Sequence, residues 1–286
     1  MMDHGGISLP TIAKQRETMM MPASTSGTLF LLGVRVDNIT GETAMKLIHN
    51  CLANRRGGFA GKVFFTNVHT IHLARKEASF KQIVNGGDIV LADGSGLKLA
   101  GRLLNEPILE NLNGTDFVPA VLRRGELHRW SVYLLGGRPE VIQKCRERLR
   151  EMFPALRIVG SHHGHFSPAD EDAIIREINA AKPDIVLVAL GSPLQEQWIS
   201  RNTARLEAGI CFGVGGLFDF ISGQRKRAPS WLRSMGLEWV YRFLQDPQAK
   251  WNRVFVEIPV FVAILLTKYL FPKRFHEAMI RNGQAR

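Results

Sequence analysis

From Thr28 onward the chain repeats one unit: a short apolar run, then a segment with helical spacing. The apolar runs are Leu29–Val36, Val63–Thr66, Ile89–Ala92, Val132–Leu135, Arg157–Val159, Ile185–Ala189 and Ile210–Phe212. Several are continuously apolar, as expected of parallel strands covered on both faces. Helical patterns fall at Glu42–Asn54, His69–Val84, Asp116–Arg124, Pro139–Met152, Asp170–Ala181 and Leu194–Leu206. Strand-then-helix repetition predicts an α/β fold, a mostly parallel sheet with helices on both faces. Two glycine-containing segments, 93–115 and 213–230, break the rhythm. Long irregular stretches in such a fold are expected to be functional loops.

The 286 residues suffice for one large α/β domain or two small lobes with ample core. A soft boundary near Gly125–Arg129 divides a lobe of residues 28–125 from one of residues 130–224, and a tail follows over 225–286. Residues 1–27 read as a disordered leader without the apolar run of a secretory signal, and Met19, Met20 and Met21 leave the start open. The three cysteines, Cys51, Cys145 and Cys211, are odd in number and form no CxxC pair. They argue against a disulfide framework and a zinc site and fit a reducing compartment.

The net charge of +11 points to an anionic partner. Residues 225–286 hold 12 Lys and Arg against 4 Asp and Glu, interleaved with Trp, Phe, Ile and Leu. Basic and greasy together favour an anionic membrane surface over nucleic acid. The run Phe255–Phe271 is interrupted by Glu257, Pro259 and Lys268. It falls short of the ~20 apolar residues of a spanning helix. Lys250, Arg253, Glu257 and Lys268 share one helical stripe, which predicts a helix lying in the interface with Lys273 and Arg274 near headgroups. A helix packed on the protein or on another subunit fits the same pattern.

Six motifs stand where strands hand over to helices. Thr66-Asn67 follows a strand and suits either a helix cap or a ligand crevice. Asp93 enters a turn with Gly94 and Gly96 and sits where a general base is useful; an Asx-turn is the structural alternative. Gly114-Thr115-Asp116 precedes a helix, where capping is the plainer role and anion binding the functional one. Gly136-Gly137 with Pro139 has the form of a phosphate cradle but lacks both the dinucleotide fingerprint and the P-loop spacing. Gly191-Ser192-Pro193 leads into Gln195 and Glu196, of which Gln195 suits a sugar or uracil and Glu196 the helix dipole. Gly213 and Gly215 precede Arg225-Lys226-Arg227, cations suited to a diphosphate or to plain solvation.

Taken as an ordered series, these pieces resemble the WecG/TagA/CpsF glycosyltransferase family from about Leu31 to Arg253. The series is Leu32-Gly33-Val34 with Asp37, Thr66-Asn67, Ala92-Asp93-Gly94 with Gly96, Gly114-Thr115-Asp116, Leu135-Gly136-Gly137, and Gly191-Ser192-Pro193 with Gln195-Glu196. Gly213-Val214-Gly215, Arg227-Ala228-Pro229 with Trp231, Glu238-Trp239, Tyr241-Arg242 and Asp246-Pro247 complete it. No one motif is decisive; the order is specific.

The resemblance implies a Rossmann-like core and a metal-independent, inverting transfer that needs no cofactor. The implied donor is a UDP-sugar, of N-acetylmannosamine type or a hexose. The implied acceptor is an undecaprenyl-diphosphate-linked glycan used in surface polysaccharide or exopolysaccharide biosynthesis. Asp93 matches the family's proposed base, Thr66 and Asn67 match pocket residues beside it, and Gln195 matches a donor-pocket glutamine. The appendage is expected to reach the inner face of the cytoplasmic membrane and carry basic residues over the site. Family members form oligomers, so a homo-oligomer stays open. No DxD pair occurs, so charge on the leaving UDP would fall to Arg225, Arg227 and the Gly136-Gly137 turn. One departure is Gln248-Ala249 after Pro247, where relatives often carry arginines; here Lys250 and Arg253 come later. Two rival readings are a membrane-associated nucleotide-binding module without catalysis and, less well supported, an NAD-linked dehydrogenase.

Overall fold

The computed structural model describes residues 27–53 and 60–270. The leader before Gly27 and the headgroup cations Lys273 and Arg274 lie outside the described residues. Six parallel strands form the central sheet in the order β4-β3-β8-β7-β5-β6: β3 Gly61–Thr66, β4 Ile89–Ala92, β5 Ser131–Gly136, β6 Arg157–His162, β7 Ile185–Ala189 and β8 Ile210–Gly213. Every residue of β4, β5, β7 and β8 is buried. This is the expected Rossmann-like α/β fold, and its continuous apolar runs are strands covered on both faces. Strands from both sides of residues 125–129 share this one sheet.

The helices of the core are α1 Gly41–Ala53, α2 Val68–Lys76, α3 Ala78–Asn85, α4 Ser95–Leu103, α5 Gly114–His128, α6 Pro139–Met152, α7 Glu171–Ala181, α8 Leu194–Asn202 and α9 Leu217–Ile221. Pro139 opens α6 at a position where no intrahelical N–H is needed. Buried residues of α1, α5, α6 and α9 pack on one side of the sheet in the largest core cluster, with Ile48, Val121, Cys145 and Phe218 among them. Ile174, Ile178, Trp198 and Ile199 of α7 and α8 pack with Tyr133, Val186 and Cys211 in a second cluster. The alternation of the strand residues Val132, Tyr133 and Leu134 between these clusters follows the period of two.

Three expectations change. Leu29–Val36 is not one strand but an antiparallel hairpin of β1 Thr28–Leu31 and β2 Val34–Asp37, separate from the main sheet. Leu32 and Gly33 take φ of 54° and 82°, the left-handed pair that closes a two-residue turn. The hairpin is tied down by Asp37, whose Oδ2 accepts from Val90 N at 2.9 Å and whose carboxylate pairs with Arg35. His69–Val84 is two helices, because Glu77 adopts an extended conformation between them. The supposedly irregular 93–115 contains α4, with Leu97, Ala100 and Gly101 buried at helical spacing.

Beyond β8 the chain builds an appendage of short helices: α10 Ser230–Ser234, α11 Glu238–Gln245, α12 Pro247–Asn252, a π-turn over Arg253–Glu257, and α13 Ile258–Leu270. Phe261 and Leu265 of α13 join a third apolar cluster with Ile71 and Ala74 of α2. Among the described residues no helix is long and apolar enough to cross a membrane. The expected stripe also differs: Arg253 and Glu257 turn inward to Asn67 and His69, and Lys250 and Lys268 are half-buried rather than exposed.

Candidate active site

All six main strands are parallel, so their carboxyl ends open on one edge, the place where open α/β sheets bind ligands. There β3 delivers Thr66 and Asn67, and β4 delivers Asp93. The two turns are stitched together by Asp93 N donating to Thr66 O at 2.8 Å. Gly94 has a φ of 100°, open to glycine but strained for other residues, and its N–H is held by Asn111 Oδ1 at 2.6 Å.

Asn67 is the hub. Its Oδ1 accepts from Thr70 N at 3.1 Å, capping α2, and from Arg253 Nη2 at 3.2 Å. These donors fix the amide orientation, so Nδ2 faces Asp93 Oδ2 at 3.3 Å. Burial pushes the Asp93 carboxyl above its ordinary range, while Arg242, Asn67 and Arg253 pull the other way. A partly desolvated carboxylate with one orienting donor has the character of a general base. Arg242 itself is braced by Glu238 at 2.6 Å and lies 4.8 Å from the Phe220 ring centre.

A second group forms around β7 and β8. Gln195 is buried, with Oε1 accepting from Gly215 N at 2.8 Å and Nε2 donating to Glu196 Oε1 at 2.8 Å. Ser192 Oγ donates to the same Glu196 oxygen at 2.8 Å. Both polar atoms of Gln195 are thus occupied inside the protein, clamping the glycine loop after β8. Glu196 is only 1% exposed, and burial raises its pKa against those two hydrogen bonds. Gly213 leaves room for the Gln195 side chain, whose Nε2 would lie 3.2 Å from an added Cβ.

The Gly136-Gly137 turn serves close packing. A Cβ on Gly136 would collide with the Ala189 backbone, and Gly137 N donates to Ala189 O at 3.1 Å. Beside it lies a cavity of about 790 Å³ over the ends of β5, β6 and β7, walled by Gly137, Arg138, Gly164, Phe166, Leu190, Gln197, Asp219 and Arg225. A nucleotide-sized ligand needs a few hundred Å³. Asp93 does not belong to this wall. Arg225 also walls a smaller depression of about 380 Å³ with Lys226, Tyr241 and Gln245. Its guanidinium pairs with Asp246 at 2.9 Å.

Thr115 and Asp116 do not stand in the crevice as free groups. Asn113 caps α5, and Asp116 takes both Arg227 Nη1 at 2.6 Å and Nη2 at 2.9 Å. Arg227 also reaches Thr115 Oγ1 at 3.4 Å. Arg227, expected beside a diphosphate, here anchors the basic loop to α5. The Asp116 carboxyl sits below its usual range, first through that hydrogen bond. Other cations gather instead: Lys250 is lowered by burial and then by Arg253 and Arg225. Sequence reasoning missed His69, Asn111, Arg242, Arg253 and Glu257 as site residues. Tyr241-Arg242 was a visible signal, and Arg253 was named among the appendage cations expected over the site, without its partner Asn67.

An open parallel sheet with a carboxylate, a roomy cleft and gathered cations along its carboxyl edge is the layout of an α/β enzyme for an anionic ligand. The match to known proteins narrows this. The model of the Glycosyl transferase WecG/TagA/CpsF family covers residues 29–275, and the chain belongs to that family of glycosyltransferases. Similar proteins include two from Staphylococcus aureus, strains MW2 and NCTC 8325 / PS 47. Each is an N-acetylglucosaminyldiphosphoundecaprenol N-acetyl-beta-D-mannosaminyltransferase, 28% identical over 243 residues, which is 84% of this chain and 92% of the relative.

Proposed function

We propose that the chain moves a sugar, of N-acetylmannosamine type or a hexose, from a UDP-sugar to an undecaprenyl-diphosphate-linked acceptor, with inversion and without a metal. The observation that carries this is Asp93: a buried-side carboxylate, oriented by Asn67 at 3.3 Å, at the end of β4. In a single displacement Asp93 accepts the proton of the acceptor hydroxyl as that oxygen bonds to the sugar's anomeric carbon. The bond from that carbon to the UDP oxygen breaks, and UDP leaves with the electron pair. The 790 Å³ cavity suits the nucleotide, and Arg225 at its rim suits the developing charge on the diphosphate. The names of the relatives supply the acceptor and the first donor sugar to try.

The appendage suits an anionic membrane at the inner face of the cytoplasmic membrane. Trp231, Trp239, Trp251, Phe255 and Tyr269 are exposed on it, and aromatic side chains favour the headgroup level. The test is transfer in lipid vesicles carrying the lipid-linked acceptor, with a panel of UDP-sugars and EDTA present. One donor should yield an extended lipid, and Asp93→Asn should abolish it. Binding of UDP without any transfer across the panel would replace this reading with a nucleotide-binding module.

A further inference from the structure

Two polar ties, four residues apart, hold the appendage over the site. Arg253 Nη2 donates to Asn67 Oδ1 at 3.2 Å. Glu257 meets His69, whose Nδ1 lies 2.9 Å from one carboxylate oxygen and 2.8 Å from the other. Asn67 caps α2 and His69 is in its first turn. Arg253 and Glu257 bracket the π-turn, whose wide loop brings both to the same side of the chain.

Glu257 is buried, where an unpartnered carboxylate is costly. Burial works to raise its pKa, yet His69, Arg253 and His72 hold it below the ordinary range. The apolar anchor further along, Phe261 and Leu265 against Ile71 and Ala74, is non-directional and tolerates small slides. A ring nitrogen shared between two carboxylate oxygens does not, because hydrogen bonds are directional. The charges that bear on Asp93 are Arg242, Arg253 and Glu238, so Glu257 reaches the carboxylate through Arg253.

We infer that Glu257 is a positioning residue for the transfer: by gripping His69 it sets the π-turn so that Arg253 reaches Asn67 beside Asp93. This rests on the transferase reading of Asp93. With the grip lost, Asn67 loses its Arg253 donor and Asp93 loses a neighbouring cation. Turnover falls, while the nucleotide cavity, walled by other residues, keeps its donor affinity.

The experiment compares Glu257→Gln, His69→Gln and the double variant in the vesicle assay across pH. Each single variant should lower kcat about tenfold or more and leave KM for the UDP-sugar within about twofold. The acid limb of the rate profile should move to higher pH, as in Arg253→Gln. Deleting a negative charge acting directly on Asp93 would move it to lower pH instead. The double variant should be no worse than either single, because both remove one contact. An unmoved or lowered limb, or single effects that multiply in the double, overturns the inference. Where Glu257→Gln lowers the melting temperature sharply, Glu257→Asp decides: partial recovery of kcat supports positioning, and none refutes it. If the native chain transfers no sugar from any donor, hydrogen exchange of amides 253–257 decides alone. Faster exchange in both single variants then upholds the grip, and unchanged exchange removes it.

Discussion

Arg253 and Asp93 are partners of one side chain. Asn67 accepts from Arg253 through Oδ1 at 3.2 Å and donates to Asp93 through Nδ2 at 3.3 Å. A cation 186 residues from Asn67 in sequence therefore helps decide which face of the amide the Asp93 carboxylate meets. The same Oδ1 caps α2, so helix, appendage and carboxylate are coordinated by the two polar side-chain atoms of one residue.

Replacing Asn67 by Asp keeps the acceptor that caps α2 and pairs with Arg253. It removes the donor and sets a second carboxylate beside Asp93. Like charges at that distance raise the pKa of one partner. The expected result is a kcat lower by about a hundredfold, with an acid limb at higher pH and a melting temperature within a few degrees of native. A pH–rate series with thermal unfolding of the same samples checks it.

As the proposed base Asp93 acts ionised, and burial raises its pKa above the ordinary 3.8. Protonation therefore persists to higher pH than for a free carboxylate, and kcat/KM falls as pH drops through the raised value. The ionised form also burdens the fold above that pH. Asp93→Asn should lose transfer, bind UDP within about threefold of native, and be no less stable at neutral pH. Isothermal titration and denaturant unfolding read these separately.

Gly136→Ala tests close packing of β5 on β7. The φ of 129° is strained for alanine, and its methyl would meet the Ala189 backbone, which cannot step aside. A loss of roughly 2–4 kcal/mol on urea unfolding is expected. Gly191→Ala is the control: its φ of 76° is also positive, but no atom lies within 4 Å of the added carbon. It should cost no more than about 1–2 kcal/mol.

Gln195→Leu would leave the buried Glu196 without one of its two donors and free the Gly215 N–H. A destabilisation of about 1–3 kcal/mol is expected. If the glycine loop shapes the donor site, KM for the UDP-sugar rises with it, and steady-state kinetics below the unfolding range separate the two effects.

Trp231 and Trp251 are 60% and 56% exposed on the appendage. Changing both to Ser should weaken co-sedimentation with anionic vesicles, most visibly at high salt where the basic contribution is screened, and more than any loss of melting temperature from the Trp251–Phe255 ring contact accounts for. Equal binding before and after would remove the aromatic face from the membrane reading.

The sheet was legible because its signal is local. Ile185–Ala189 is apolar at five successive positions, and a run this short and rich in Val and Ile suits a strand covered on both faces. The β1–β2 hairpin was not, since Leu32 in a left-handed turn carries no Gly or Asn signature at that position. Helix α4 hid behind glycines, although Leu97 and Ala100 kept the helical spacing. At the site, Asp93 and Asn67 are strand-end residues whose place follows from topology. The roles of Arg227 and Arg253 depend on side-chain pairing across more than 100 residues, which no local pattern encodes.

The separation of Asn67 from Arg253 and of His69 from Glu257 sets an order in time. A ribosome finishes β8 at Gly213 while the residues of the π-turn are still inside its tunnel or unmade. The residues of all six sheet strands and of Asp93 are thus made before the cation that reaches Asn67. The stretch that carries Arg253 also carries the exposed Trp231, Trp239 and Trp251, so the chain acquires its grip on Asn67 and its aromatic surface in the same stretch of synthesis.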